Sequence, residues 1–360
     1  MLLCQRFRRL LTLQKIDMKR LKIIPIAAII MLCGCTDWVS NESVHTAERD
    51  IFAMDTFMNL KAYGEQADDA LGEAAEKITE LEVMLSVTDE KSDIWKINHA
   101  NGSEVNVNED TLRIIDTAVD IGNKTIGSLD ITVYPVLKEW GFTTGSHKIP
   151  DDVIITQLLE RVDYSCVKTN TSSVTIPQDF QIDLGALAKG YTGDRIMDIL
   201  SEHGIESAII NLGGNVQTMG RKPDGSLWNV AVTDPFNPNS NLCVVAVENK
   251  AVITSGNYER YFVGEDGKKY WHIIDPADGY PADNGLVSVT IIGESGLMCD
   301  ALSTALFVAG TENSVEYWNS SDENFDMILI TNEGKMLVTE GIEQDLTITG
   351  NYEYEVIYHE

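Results

Sequence analysis

The chain has 360 residues, 44% of them hydrophobic, with 27 basic against 56 acidic side chains and a formal net charge of −29. That length can bury a large core in one or two domains, and the acidity excludes nucleic acid as a partner, because phosphate contacts need a basic face. An anionic ligand must therefore meet local positive charge from a metal ion, a lysine or converging N–H groups.

The chain opens on a targeting pattern. Lys19, Arg20 and Lys22 precede the apolar run Ile23–Leu32, which is too short to span a bilayer as a helix. Leu32-Cys33-Gly34-Cys35 follows and resembles a bacterial lipobox. Residues 1–34 then read as a lipoprotein signal peptide, with cleavage before Cys35 and lipid on its thiol. Met18 opens a complete signal by itself, so residues 1–17 read as an upstream start. Removing residues 1–34 takes away seven basic residues and one acidic residue and leaves a charge of −35. Residues 35–49 are polar and read as a tether from the membrane surface. Cys166, Cys243 and Cys299 are scattered, odd in number and without metal-ligand spacing, so they read as structural thiols.

Ile51–Leu60 alternates and is expected to be a first strand. Gln66–Leu85 carries apolar residues at Leu71, Ala74, Ala75, Ile78, Leu81 and Leu85, the spacing of an amphipathic helix. Ser86–Asn98 reads as a polar connection and Asp110–Lys124 as a second helix. Asp130–Pro135 and Trp140–Phe142 read as irregular and aromatic, Asp151–Arg161 as a short helix, and Tyr164–Ile182 as strands with a turn near Thr171.

The stretch Gln181–Arg195, QIDLGALAKGYTGDR, is the organising element: a strand ending at Asp183 is expected to turn into a helix. Such a junction gathers N–H groups and a positive dipole end, a ready anion site, here beside Asp183 and Lys189. The same residues also suit an ordinary capped helix start. Ser207–Leu212 reads as a strand ending in Gly213-Gly214, which lets backbone approach a ligand, or simply turns. Short strands are expected at Asn229–Val232, Cys243–Val247, Ala251–Thr254, Tyr261–Val263, Tyr270–Ile274, Leu286–Ile292, Phe325–Thr331 and Lys335–Thr339, with a helix at Leu297–Val308. Helices and strands mix without a regular βαβ rhythm, so the expected class is α+β, in two lobes with a cleft between them.

Asp300 and Thr304 lie four apart, on one face of that helix. A hard cation takes oxygen ligands and keeps positions for water or phosphate, although two solvated polar residues of a helix turn look the same in sequence. His272, before Ile-Ile-Asp-Pro276, has the ordinary titration range of a general base or is a satisfied structural imidazole.

Together these stretches resemble the ApbE family of FAD:protein FMN transferases. The matching pieces occur in the family's order. They are Met54-Asp-Thr-Phe57; Leu85-Ser86 with Ser92-Asp-Ile94 and Ile97-Asn98; Leu129-Asp-Ile-Thr-Val133 with Pro135 and Trp140-Gly-Phe142; and Asp183-Leu-Gly-Ala-Leu-Ala-Lys-Gly-Tyr191 with Asp194-Arg195. Asn211-Leu-Gly-Gly214, Ile253-Thr-Ser-Gly-Asn-Tyr258, His272-Ile-Ile-Asp-Pro276, Leu286-Val-Ser-Val-Thr290 and Asp300-Ala-Leu-Ser-Thr304 complete the set. The resemblance runs from about residue 50 to 340; residues 50–345 are read as the transferase domain, with 346–360 as a C-terminal tail.

The resemblance implies Mg²⁺-dependent transfer of FMN from FAD, the substrate, to a Thr or Ser hydroxyl of an acceptor redox subunit, with release of AMP. It implies Asp300, Thr304 and the Ala186 carbonyl as Mg²⁺ ligands. It implies Met54, Thr88, Ser128, Leu129, Asp130, Asp183, Lys189, His272 and Leu297 as flavin-nucleotide contacts, Thr88 standing where some members have an aromatic residue. His272 is also the candidate to take the hydroxyl proton. The alternatives from the same residues are an FAD pyrophosphatase giving FMN and AMP, and a non-catalytic FAD-binding lipoprotein. The lipid anchor would hold the protein on the extracytoplasmic (periplasmic) face of the cell membrane.

Overall fold

In the computed structural model, residues 44–350 and 352–359 are described, so Cys35 and the signal segment lie outside the described residues. A nine-stranded sheet forms the backbone of the molecule. In spatial order its strands are Thr46–Ala53, Thr56–Tyr63, Ser207–Leu212, Asn215–Met219, Ala251–Gly256, Leu286–Gly293, Phe325–Thr331, Met336–Thr339 and Tyr354–Ile357. Neighbours are antiparallel except the last pair, where Tyr354–Ile357 runs parallel to Met336–Thr339. The mixture of this sheet with seven α-helices is the expected α+β class, and Val44–Glu360 forms one compact unit.

Helices cover one face of the sheet. Ala67–Leu85 and Ala188–Glu202 bury Leu71, Ile78, Ile196 and Leu200 against Met58, Leu60, Ile210 and Leu212 of the strands. The long helix Gly296–Ser320 buries Leu302, Ala305 and Leu306 against Ile253, Val289 and Ile291. A second sheet of Trp228–Thr233, Asn241–Val247 and Leu346–Ile348 covers the middle of the other face through Trp228, Val230, Val245, Ile292, Ile328 and Ile330. Leu286–Gly293 is therefore buried along its whole length, as an interior strand covered on both faces must be.

Several elements differ from the expectation. The first strand is a hairpin that begins earlier, at Thr46, and turns at Met54-Asp55, whose φ angles are 49° and 58°. Two left-handed residues match the twist of a tight hairpin, but neither is the Gly or Asn that marks such a turn in sequence. The segment before the mid-chain helix is not a strand beyond Ser173–Thr175: Ile182 exchanges both backbone bonds with the Asn98 side chain, and the Asp183 N–H donates to Ile131 O. Asn98 belongs to a short helix, Asp93–Asn98, inside the expected polar connection, capped by Ser92. Ile131–Trp140 is helical rather than irregular. The strand Asn215–Met219 was not expected. Residues 346–360, read as a tail, supply two of the sheet strands.

The expected helix from Leu297 to Val308 continues to Ser320 through a break at Gly310, where φ is 80°. A separate aromatic cluster forms around Trp140. Trp140 is fully buried, donates its indole N–H to Gly279 O, and packs against Phe262, Tyr270 and Tyr280.

Candidate active site

The mid-chain helix, Ala188–Glu202, and the long helix touch where both are reduced to backbone. A Cβ on Gly190 would lie 2.2 Å from Gly296 O and 2.6 Å from Asp300 Cβ, so residue 190 has room only for hydrogen. The Gly190 N–H donates to Asp300 Oδ2 at 2.8 Å, and Gly190 O accepts from Gln217 Nε2 at 3.0 Å. Asp194 fixes the start of the long helix. Its carboxylate accepts the N–H groups of Gly296 and Leu297 and the Ser295 hydroxyl, at 2.6, 3.0 and 3.0 Å. These bonds satisfy donors that a helix start leaves open and set the register of Asp300 and Thr304 against the mid-chain helix.

A cavity of about 540 Å³ opens in front of this junction. Of the expected site residues, Met54, Thr88, Ser128, Leu129, Asp130, Asp183, Ala186, Lys189, His272, Asp300 and Thr304 all line it. Asp300 is only 5% exposed, and burial pushes its carboxyl upward against Lys189, the Gly190 N–H and Asn215. Lys189 Nζ donates to Asn215 Oδ1 at 3.3 Å. Thr304 Oγ1 lies 3.2 Å from Ser255 Oγ, which in turn bonds the Ser303 hydroxyl at 2.8 Å. Asp183 is also pushed upward by burial, against the Gly185 N–H and Arg260. Its Oδ1 accepts that N–H at 2.8 Å and shapes the turn into the helix.

Leu297 does not line the cavity. Its side chain is in the hydrophobic core and its N–H is held by Asp194: residue 297 shares the helix face of 300 and 304 but stands in the first turn of the helix, packed into the core instead of the cavity. Asp130 is present, but its carboxylate is committed to structure: it accepts from the Thr132 N–H and hydroxyl and from the Tyr164 N–H. Thr88 is exposed on the rim and bonded to Ser86, and Phe142 is an aromatic ring elsewhere in the wall.

His272 differs from the expectation in its titration. Burial first, and Arg260 next, push its imidazole down to about 3, so the ring is neutral at pH 7. Nδ1 is 3.3 Å from Arg260 O, an acceptor, which assigns the proton to Nδ1 and leaves the Nε2 lone pair free. Sequence reading missed Glu259 and Arg260, which also line the cavity. Glu259 is open to cavity water, yet the surrounding protein removes enough bulk solvent to push it up to about 7 against the pull of Lys189, with Asp300 adding to the rise. The available signal was their position directly after the Ile253–Tyr258 motif. Their convergence on His272 and Lys189 depends on tertiary packing.

The donor set suits a hard cation: one carboxylate, one hydroxyl and a backbone carbonyl, all oxygens, at one cavity. Among the described residues, no three His, Cys, Asp or Glu side chains gather as a metal cage. Such a site would leave most coordination positions to water or ligand oxygens.

The family profile described as the ApbE family matches residues 54–329. An FAD:protein FMN transferase of Klebsiella pneumoniae is 34% identical over 286 residues, covering 78% of this chain and 87% of that protein. Another of that name from Vibrio cholerae is 30% identical over 325 residues, covering 87% and 94%. Among solved structures, the ApbE protein of Thermotoga maritima superposes with a TM-score of 0.78 at 31% identity, covering 84% of this chain and 99% of that one. The flavin transferase ApbE of Vibrio cholerae gives 0.75 at 25% identity, with the same coverage. The family profile spans the cavity from Met54 to Thr304, and the chain belongs to the ApbE family.

Proposed function

We propose that this protein transfers FMN from FAD to a Thr or Ser hydroxyl of an acceptor protein, with Mg²⁺ at Asp300, Thr304 and the Ala186 carbonyl. The observation that carries the reading is the convergence of these oxygens with Lys189 and the start of the mid-chain helix on one cavity. The relatives' shared name, FAD:protein FMN transferase, supplies the substrate and the class of acceptor.

The reaction breaks the phosphoanhydride bond between FMN and AMP and forms a phosphoester to the acceptor oxygen, with AMP keeping the bridging oxygen. Displacements of this kind need charge neutralisation and in-line positioning more than covalent help. Bound Mg²⁺ would supply Lewis-acid stabilisation of the diphosphate oxygens. Lys189 adds a positive charge that a diphosphate can meet directly. Leu129, Ile131 and Phe142 give the cavity apolar walls that would exclude water from a bound nucleotide.

His272 presents a neutral Nε2 lone pair. It orients the acceptor hydroxyl by accepting its hydrogen bond and receives the proton as the new P–O bond makes that hydroxyl acidic. A lipid on Cys35 would hold the cavity on the extracytoplasmic face, where redox subunits could reach it.

Mass spectrometry of an acceptor subunit incubated with FAD, Mg²⁺ and the protein reads the reaction directly, as covalent FMN on one Thr or Ser. Asp300→Ala should cut the rate by roughly 10²–10³-fold, the scale of losing one electrostatic stabiliser, with an unchanged circular dichroism spectrum. Full activity in that variant removes the metal assignment. Free FMN with no labelled acceptor would make the protein a pyrophosphatase.

A further inference from the structure

The hairpin that supplies Met54 and Asp55 to the cavity carries two phenyl rings on its outer face. Phe52 and Phe57 are direct cross-strand partners with ring centroids 5.0 Å apart, and they are 64% and 78% exposed. Their neighbours Ala53 and Met58 alternate inward and are buried under the helical layer, so the outward direction of the rings is fixed by register. A second tight turn, Gly213-Gly214, lies beside the first because Leu212 pairs with Met58. Both glycines are exposed. A Cβ on Gly213 would lie 2.1 Å from Thr56 Oγ1, whereas Gly214 faces open space. The next residue, Asn215, bonds Lys189 inside the cavity. Two phenyl rings and a bare strip of backbone thus form a ledge that runs to the mouth of the site. Asp50 and Asp55 add negative charge beside it, while Glu48 farther along the hairpin is paired with Lys61.

We propose that this ledge docks the acceptor: an extended polypeptide segment that places an apolar side chain on Phe52 and Phe57 and carries basic residues beside its hydroxyl. The inference rests on the reading above that a hydroxyl of another polypeptide is the nucleophile. Three observations choose this occupant. The relatives act on protein, so a polypeptide has to reach the cavity mouth, and the ledge is continuous with it. Exposed aromatic pairs are the side chains that anchor protein partners. The acidic surround repels an anionic bilayer and attracts a basic segment.

The test compares the full chain with Phe52→Ser/Phe57→Ser. Each is supplied with FAD, Mg²⁺ and the detergent-solubilised membrane fraction of the encoding organism, depleted of this protein, as the acceptor pool. Covalent flavin is read by in-gel fluorescence and FAD affinity by flavin fluorescence. The expected result is a fall of about tenfold or more in the initial labelling rate at limiting acceptor, with FAD affinity unchanged. Equal labelling rates overturn the ledge and leave the transferase reading intact. No labelled protein with the wild-type chain, while FAD is split to FMN and AMP, overturns the hydroxyl-acceptor reading and the ledge with it. Two controls name the other occupants: phosphatidylglycerol vesicles, and sedimentation of the protein alone. Vesicle binding or self-association lost in the double variant, with labelling retained, assigns the rings elsewhere and overturns the proposal.

Discussion

The two sides of the cavity are built on opposite principles. On the side of the two helices, every contact is close and buried. Gly190 lies against Gly296 and Asp300, Asp194 holds three donors of the long helix, and Ser255, Ser303 and Thr304 share a hydroxyl network. At the hairpin the wall is a turn. Met54 and Asp55, which line the cavity, have positive φ, and Phe52 and Phe57 beside them stand in solvent. The difference follows from what each side has to do. Diphosphate chemistry needs charges held in fixed positions before the substrate arrives, and buried hydrogen bonds supply that. A polypeptide acceptor needs open apolar surface next to the reacting atoms, and the hairpin projects it outward while Ala53 and Met58 anchor the other face in the core.

The comparison breaks most visibly at Gly190. Gly190→Val forces a side chain into a space that already holds backbone and the Asp300 Cβ, so the helices must part. Overpacking of this kind costs about 1–3 kcal/mol, and the shift also moves Asp300 from its register. A lower thermal midpoint together with loss of FMN transfer is expected. Transfer at the wild-type rate would show that helix contact does not set the site.

His272 sharpens the same point through pH. Its folded pKa of about 3 is depressed below the ordinary 6.5. The unfolded chain therefore takes up a proton at this residue in a window where the folded chain does not. The stability contribution is complete above pH 6.5 and is lost progressively as pH falls from 6.5 toward 3. His272→Gln should flatten that part of the curve of thermal midpoint against pH. The wild-type profile of kcat/KM should show no inflection near 6.5 from this group.

The smallest effect belongs to an exposed turn outside the cavity wall. Ile126 is β-branched, 93% exposed and left-handed, with φ at 53°. Ile126→Asn should raise stability by about 1 kcal/mol, because Asn tolerates that conformation and no buried contact is lost. A fall in the denaturant midpoint would mean that Ile126 makes contacts beyond its own turn.

Much of the fold was legible where local pattern decides. Ser207–Leu212, Tyr261–Val263 and Phe325–Thr331 fall where alternation put them, and the two amphipathic helices near the N-terminal end agree within a residue. The hairpin at Met54-Asp55 was not legible, because Met at the first turn position gives no turn signal and no glycine follows Asp55. Nor was the extended lead into the mid-chain helix, whose partner is a side chain, Asn98, distant in sequence. The strand Tyr354–Ile357 gave no signal of its own because an edge strand is half exposed and short. At the site, the order of motifs brought out eleven lining residues. It also named Leu297, one helical turn before Asp300, whose side chain packs in the core instead.

By itself the sequence determined which chemical groups were available and how they were spaced along each element. A carboxylate and a hydroxyl one helical turn apart follow from the 3.6-residue period and can be read locally, whereas the lack of room at Gly190 appears only when the second helix packs against it. The tertiary structure alone decided which of those groups lost their water and which charges they met. Burial first pushes Glu259 up to about 7, against Lys189 and with Asp300, and burial first, then Arg260, pushes His272 down to about 3. Desolvation and Coulomb interaction depend on distance in space, and distance in space is set only when the chain has packed.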